Sequence, residues 1–174
     1  MLELAAHILD IAENSVRAGA SLVEINIVED EKENLFSIEI IDNGCGMTQE
    51  EIKKVFDPFY TTKKVRRVGL GVPLLSDAAQ RAGGNLELHS VKGKGTTLKV
   101  TFELNHIDRQ PLGDITGTFI ILIAGNCDTD FLYRHRHNDR IFELDTRDIR
   151  KEIEDIPLNH PEILKYIRQL MEDG

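Results

Sequence analysis

Two short runs constrain this chain most: residues 22–28, Leu-Val-Glu-Ile-Asn-Ile-Val, and residues 35–41, Leu-Phe-Ser-Ile-Glu-Ile-Ile. Each alternates apolar and polar residues over a β-branched stretch, the period of a half-buried strand. The charged residues 29–34 between them read as a solvated turn, so the runs predict an antiparallel pair with Val23, Ile25 and Ile27 facing inward. The second run ends in Asp42-Asn-Gly-Cys-Gly-Met47. A carboxylate is therefore held where a strand gives way to a glycine turn. Alone, Asp-Asn-Gly is the signature of a hairpin turn. The same stretch also sets an acid beside bare backbone, because Gly44 and Gly46 bring no side chains to keep a flat ligand away. That combination suits a purine edge.

Ahead of the pair, Leu4, Ala5, Ile8, Leu9, Ala12 and Val16 recur at helical spacing and Gly19 offers the stop, which predicts a helix over about residues 2–18. His7, Asp10, Asn14 and Arg17 stack along another stripe of it, the pattern of a solvated polar face. After the glycine turn, Thr48-Gln-Glu-Glu51 is a capping box that opens a short helix, ended by Asp57-Pro58. Residues 59–67 gather Lys63, Lys64, Arg66 and Arg67 just before Gly69-Leu-Gly71, with Pro73 near the first turn of the next helix. Backbone N–H groups at such a helix start form an anion site. Leu74, Leu75, Ala78, Ala79 and Ala82 supply that helix's inward stripe, and residues 86–91 and 97–104 read as a second hairpin.

Beyond residue 104 the character changes. Residues 105–114 are polar and contain a proline, residues 119–124 read as an apolar strand, a hairpin is expected about His137-Asn138-Asp139, and two short helices follow near 147–155 and 161–171. Two units are expected, 1–104 and 105–174, the second an α/β extension packed on the first. It would cover a sheet edge or offer a docking surface for a partner. His135 and His137, with Asp130 and Cys127 nearby, fit no standard zinc spacing and read as a polar strand or hairpin surface.

Charge narrows the partners. Twelve basic residues face sixteen acidic ones through Leu104, and nine face fourteen beyond it, for a net charge of −9. Neither part suits non-specific binding to nucleic acid or to an anionic membrane. The two cysteines, Cys45 and Cys127, have no paired spacing, so a reducing, cytoplasmic setting is expected. The opening Met-Leu-Glu-Leu-Ala-Ala-His shows no signal-peptide pattern, and no apolar run approaches the ~20 residues of a membrane span.

An Asn-bearing helix, a strand-end Asp with two glycines, a basic segment followed by Gly-x-Gly, and a final Gly93-Lys-Gly-Thr-Thr97 hairpin stand in this order. Over about residues 4–104 the chain resembles the GHKL superfamily of ATP-binding proteins, which joins gyrase-type, heat-shock-chaperone, histidine-kinase and MutL-type ATPase domains on the Bergerat fold. The resemblance implies a two-layer α/β (α+β) sandwich, a mixed sheet backed by helices. It also implies ATP and magnesium as cofactors. Asn14 matches the residue that holds the magnesium ion, and Arg17 a position that reaches the phosphates in histidine kinases. Asp10 matches the catalytic Glu of gyrase-type and MutL-type members, which makes it the candidate general base, one methylene shorter. Asp42 matches the acceptor of the adenine amino group, with Gly44 and Gly46 making room for the ring. Gly69 and Gly71 match the glycines that cradle phosphate, Gly95 and Thr96 match the last adenine-supporting box, and the resemblance implies Lys63 as the lid cation that approaches the terminal phosphate, a catalytic candidate. Cys45 is read as a tolerated small residue.

The segment Asp57-Pro-Phe-Tyr-Thr-Thr-Lys63 resembles the F-box of short-lid histidine kinases, while Ser15-Val-Arg-Ala-Gly-Ala20 looks like a MutL-type helix end. No His-Glu-x-x-x-Pro-like acceptor box stands in the sequence, so a kinase reading implies an acceptor in another protein. Two alternatives accompany it: a MutL-like hydrolase with ATP-driven homodimerisation, and a regulatory module, anti-sigma-like in logic, that senses nucleotide without hydrolysing it.

Overall fold

A computed structural model describes residues 3–57 and 66–174, with the side chains of residues 66–70 excluded. Both alternating runs form strands, β1 (Leu22–Asp30) and β2 (Leu35–Asp42), paired antiparallel so that Val23 faces Asp42. The helix before them is α1 (Leu4–Arg17), and the capping box opens α2 (Gln49–Val55), Thr48 Oγ1 accepting from the Glu51 amide at 3.2 Å and Glu51 Oε1 from the Thr48 amide at 3.1 Å. α3 (Arg66–Arg81) leads to the hairpin β3 (Leu86–Val91) and β4 (Gly95–Glu103). The later elements are α4 (Ile115–Gly125), β5 (Asp130–His137), β6 (Arg140–Asp145), α5 (Thr146–Ile153) and α6 (Pro161–Asp173).

The six strands make one mixed sheet in the order β3-β4-β2-β1-β5-β6. β1 and β5 are parallel and every other pairing is antiparallel. Residues beyond 104 thus extend the same sheet, β5 adding to the edge of β1. Val23, Ile25 and Ile27 are buried as their spacing predicts, with Phe36, Ile38 and Ile40 of β2 beside them. This face meets α1, α3 and α4, giving the two-layer Bergerat architecture. Phe36 and Phe102 stack edge to face at 5.9 Å in this core.

Four local expectations are corrected. Residues 119–124 lie in helix α4, not in a strand: Asp114 caps it, Oδ1 accepting from the Gly117 amide at 2.8 Å, and Phe119, Leu122 and Ile123 are buried at helical spacing. A run that is apolar all round has no period to separate strand from helix. α3 starts at Arg66, so Gly69 and Gly71 lie inside it rather than ahead of it, and Pro73 is a helix-interior residue. Propensity is a weak prior once packing favours extension, and α3 packs on α1. Leu74 is 49% exposed where Leu75 is buried, the phase of the helix putting only one of two neighbours inward. His7 is buried, 2% exposed, so it leaves the polar stripe and joins the core side of α1.

Candidate functional site

Asp42 closes β2 opposite Thr96 of β4, and α1 passes over it. Ser15 Oγ donates to Asp42 Oδ2 at 2.6 Å, and the Gly44 amide donates to Asp42 Oδ1 at 2.9 Å. Each carboxylate oxygen therefore has a donor that fixes its direction. An ionised carboxylate can only accept, so what Asp42 has left to offer is acceptor capacity.

The loop after Asp42 is pinned on three sides. Asn43 Oδ1 accepts from the Ser21 and Leu22 amides at 2.8 and 3.0 Å, and its Nδ2 donates to Ser21 Oγ at 2.8 Å. The Cys45 amide donates to the Ala18 carbonyl at 2.9 Å, tying the loop to the end of α1. Across the other side, the Gly93 amide donates to the Cys45 carbonyl at 2.6 Å and the Met47 amide to Ser90 Oγ at 2.7 Å. Gly46 has φ +69°, and a Cβ there would lie 2.1 Å from the Val91 carbonyl oxygen. Only glycine meets both demands.

Ser90 Oγ donates to the Gly95 carbonyl at 3.0 Å and lies 2.8 Å from Thr96 Oγ1. A serine has one hydroxyl hydrogen, so with Ser90 donating to Gly95, Thr96 donates to Ser90 and keeps its own lone pairs for an incoming donor. Gly95, with φ +122°, lets β4 lie against the Asp42 carbonyl, which a Cβ would meet at 2.1 Å.

These groups border a cavity of about 300 Å³. Asn14, Ser15, Asp42, Gly46 and Thr96 contribute to its lining, and Ile40, Met47, Val72, Leu88 and Leu98 make much of its apolar wall. A largely apolar slot ending in an oriented carboxylate fits a flat heterocycle with an exocyclic amine. Asn14 Oδ1 accepts from Arg17 Nη1 at 2.7 Å, and Arg17 also lies 3.7 Å from Glu13. Asp10 stands one turn before Asn14, packed so closely on α3 that a Cβ at Gly71 would be 2.1 Å from its Oδ2.

The structure thus brings Asn14, Asp42, Gly46 and Thr96 to one cavity; Gly44 packs instead against Ala18 and Gly95 against the Asp42 carbonyl, and Asp10 and Arg17 share α1 with Asn14. Gly69 lies in the first turns of α3. Lys63 and its neighbour Lys64 fall outside the described residues. Ser15, Ser90 and Asn43 carried no signal of their role in spacing, although a serine at a buried position of an alternating strand, as Ser90 is, asks for a polar partner. Among the described residues no group of three or more His, Cys, Asp or Glu could hold a metal. An amide oxygen such as that of Asn14 instead suits a magnesium ion that takes its remaining ligands from phosphates and water.

A family model described as histidine kinase-, DNA gyrase B-, and HSP90-like ATPase matches residues 2–106. The chain belongs to this ATPase family. Within it, the chain is 36% identical over 93 residues to the sensor histidine kinase WalK of Bacillus subtilis (strain 168), a match covering 51% of this chain and 15% of that protein. It is 26% identical over 106 residues to the sensor histidine kinase ZraS of Escherichia coli (strain K12), covering 61% and 23%. The chain therefore spans less than a quarter of either kinase. In fold it is similar to the Aquifex aeolicus MutL ATPase domain complexed with ADP, with a TM-score of 0.54 at 17% identity over 88% of this chain and 68% of that one. The crystal structure of the N-terminal domain of a DNA repair protein also has a TM-score of 0.54, at 15% identity, over 83% of this chain and 53% of its own. Membership of the ATPase family implies ATP as the ligand class. Among the described residues no helix is long and apolar enough to cross a membrane.

Proposed function

We propose that this chain binds magnesium-ATP in the Asp42 cavity and, as a histidine-kinase-like protein, uses it to phosphorylate or regulate a partner protein. The observation that carries the proposal is the Asp42 carboxylate, oriented by Ser15 and Gly44 at the end of an apolar slot. Bound magnesium-ATP supplies an activated phosphoryl group. Asp42 accepts a hydrogen bond from the adenine amino group, and Thr96, its hydroxyl hydrogen committed to Ser90, accepts another through the same base or a water. Asn14 offers its amide oxygen to the metal. Arg17 lies within reach of the same oxygen and is the cation on α1 that can turn to phosphate. Gly71 in α3 brings backbone close to Asp10, and Lys63 is the lid cation that the resemblance assigns to the terminal phosphate. The kinase direction draws support from the similarity to WalK and ZraS.

A second reading is favoured by one observation. The similarity to the MutL ATPase domain extends over 88% of this chain, well past the family match that ends at residue 106. In that reading Asp10 takes a proton from the attacking water, and ATP-driven homodimerisation is the output.

Labelled ATP separates the two. The kinase reading predicts transfer of the γ-phosphoryl label to a second protein in a cell extract, with little steady turnover by the isolated chain. Steady turnover that Asp10→Asn reduces about 100-fold or more, the scale of a lost general base, with no labelled partner, supports the hydrolase instead. Tight binding with neither outcome leaves a nucleotide-dependent regulatory module.

A further inference from the structure

The far end of β1 from Asp42 carries a second cavity, of about 430 Å³, bounded by the start of α4 and the end of α6. It lies at the carboxyl ends of the parallel strands β1 and β5, where open α/β sheets commonly present ligand crevices. The cross-strand register sets two rows of side chains there. Glu29, His137 and Arg140 face one another across β1, β5 and β6, and the row below holds Ile27, His135 and Phe142. Strands are ~4.8 Å apart, so an acid and a guanidinium stand at the two ends of a row roughly 10 Å wide at the backbone.

The floor is rigid. His135 Nε2 lies 2.7 Å from Glu29 Oε2, and Tyr133 Oη lies 3.0 Å from His135 Nδ1. The hydrogen bond from His135 holds the Glu29 carboxyl below the usual carboxylate range, so Glu29 is an acceptor. With Glu29 accepting, His135 Nε2 carries a hydrogen, and the Tyr133 hydroxyl beside Nδ1 is pushed upward in pKa by burial. This chain consumes His135 and Tyr133 but uses only one Glu29 oxygen. Arg140, on the exposed edge strand, makes no ion pair among the described residues. Ile115, Ile141, Phe142 and Met171 add apolar wall.

We propose that this cleft binds a small amphiphilic zwitterion, an apolar α-amino acid, with its ammonium group on Glu29, its carboxylate on Arg140 and its side chain against Phe142 and Met171. A simple anion would meet Glu29 and Asp173, and a simple amine would meet Arg140, so either leaves a like charge uncompensated. The site is independent of the nucleotide reading.

The test is a two-dimensional amide NMR titration of the full chain with L-leucine and L-phenylalanine, against glycine, 4-methylpentanoate and 3-methylbutan-1-amine. One of the two apolar amino acids should shift the Thr116, Arg140 and Phe142 amides saturably, with a Kd of about 1 mM or tighter. The three controls should bind about fivefold more weakly or worse, the effect of losing one partly exposed ion pair or the apolar body. Arg140→Ala, at an exposed position the fold does not need, should weaken the amino acid by the same factor. No saturable shift with either amino acid overturns the proposal. So does equal binding of glycine, 4-methylpentanoate or the amine, or an unchanged Kd in Arg140→Ala.

Discussion

Ser15 Oγ lies 2.6 Å from Asp42 Oδ2, a hydrogen bond that joins α1 to the end of β2 at the Asp42 cavity. It sets which way the carboxylate's free lone pairs point. Replacing Ser15 by Ala should leave Asp42 less well aimed, and ATP affinity should fall about tenfold, the worth of one hydrogen bond to a charged group. Calorimetric titration of the variant measures this directly.

Gly46 is held to φ +69° with its missing Cβ directed at the Val91 carbonyl. Gly46→Ala should therefore cost about 2 kcal/mol or more, from the left-handed backbone and the displaced strand together. For a chain of this size that is a fall in Tm of about 5 °C or more, readable by circular dichroism. An unchanged Tm would mean that the loop is not pinned on β3 as described.

His7 gives the chain an acid-sensitive core. Burial holds its pKa below the ordinary 6.5, so the unfolded chain binds a proton that the folded chain refuses. Stability should hold above pH 6.5 and decline as pH falls from there toward the depressed folded value, by up to about 1.4 kcal/mol per pH unit. Urea denaturation at pH 7 and pH 5.5 should show the loss in the natural chain, and His7→Leu should remove most of that difference.

Much of the site was legible because its residues sit at ends of strongly periodic elements. The alternation of residues 35–41 fixed where β2 stops, and hence where Asp42 stands, and the spacing of α1 put Asn14 one turn from Asp10. What supports those residues was not legible. Ser15 and Ser90 act through partners 27 and 6 residues away, and nothing in their local sequence names those partners. The parallel pairing of β1 with β5 joins segments more than a hundred residues apart, so no turn signal announces it. α4 was hidden by its uniform hydrophobicity, although Asp114 offered a cap. The same pairing makes sense of His135 and His137, a polar pattern with no metal spacing. β5 carries both to the cleft beside Glu29.

The role proposed for Asp42 is to read the adenine amine. Calorimetric titration of Asp42→Asn with magnesium-ATP tests it most directly, with thermal unfolding run alongside to show that the variant is folded. Asn presents a donor as well as an acceptor where the amine needs an acceptor, so affinity should drop about 10- to 100-fold. A folded Asp42→Asn chain that binds magnesium-ATP as tightly as the natural one would contradict the account.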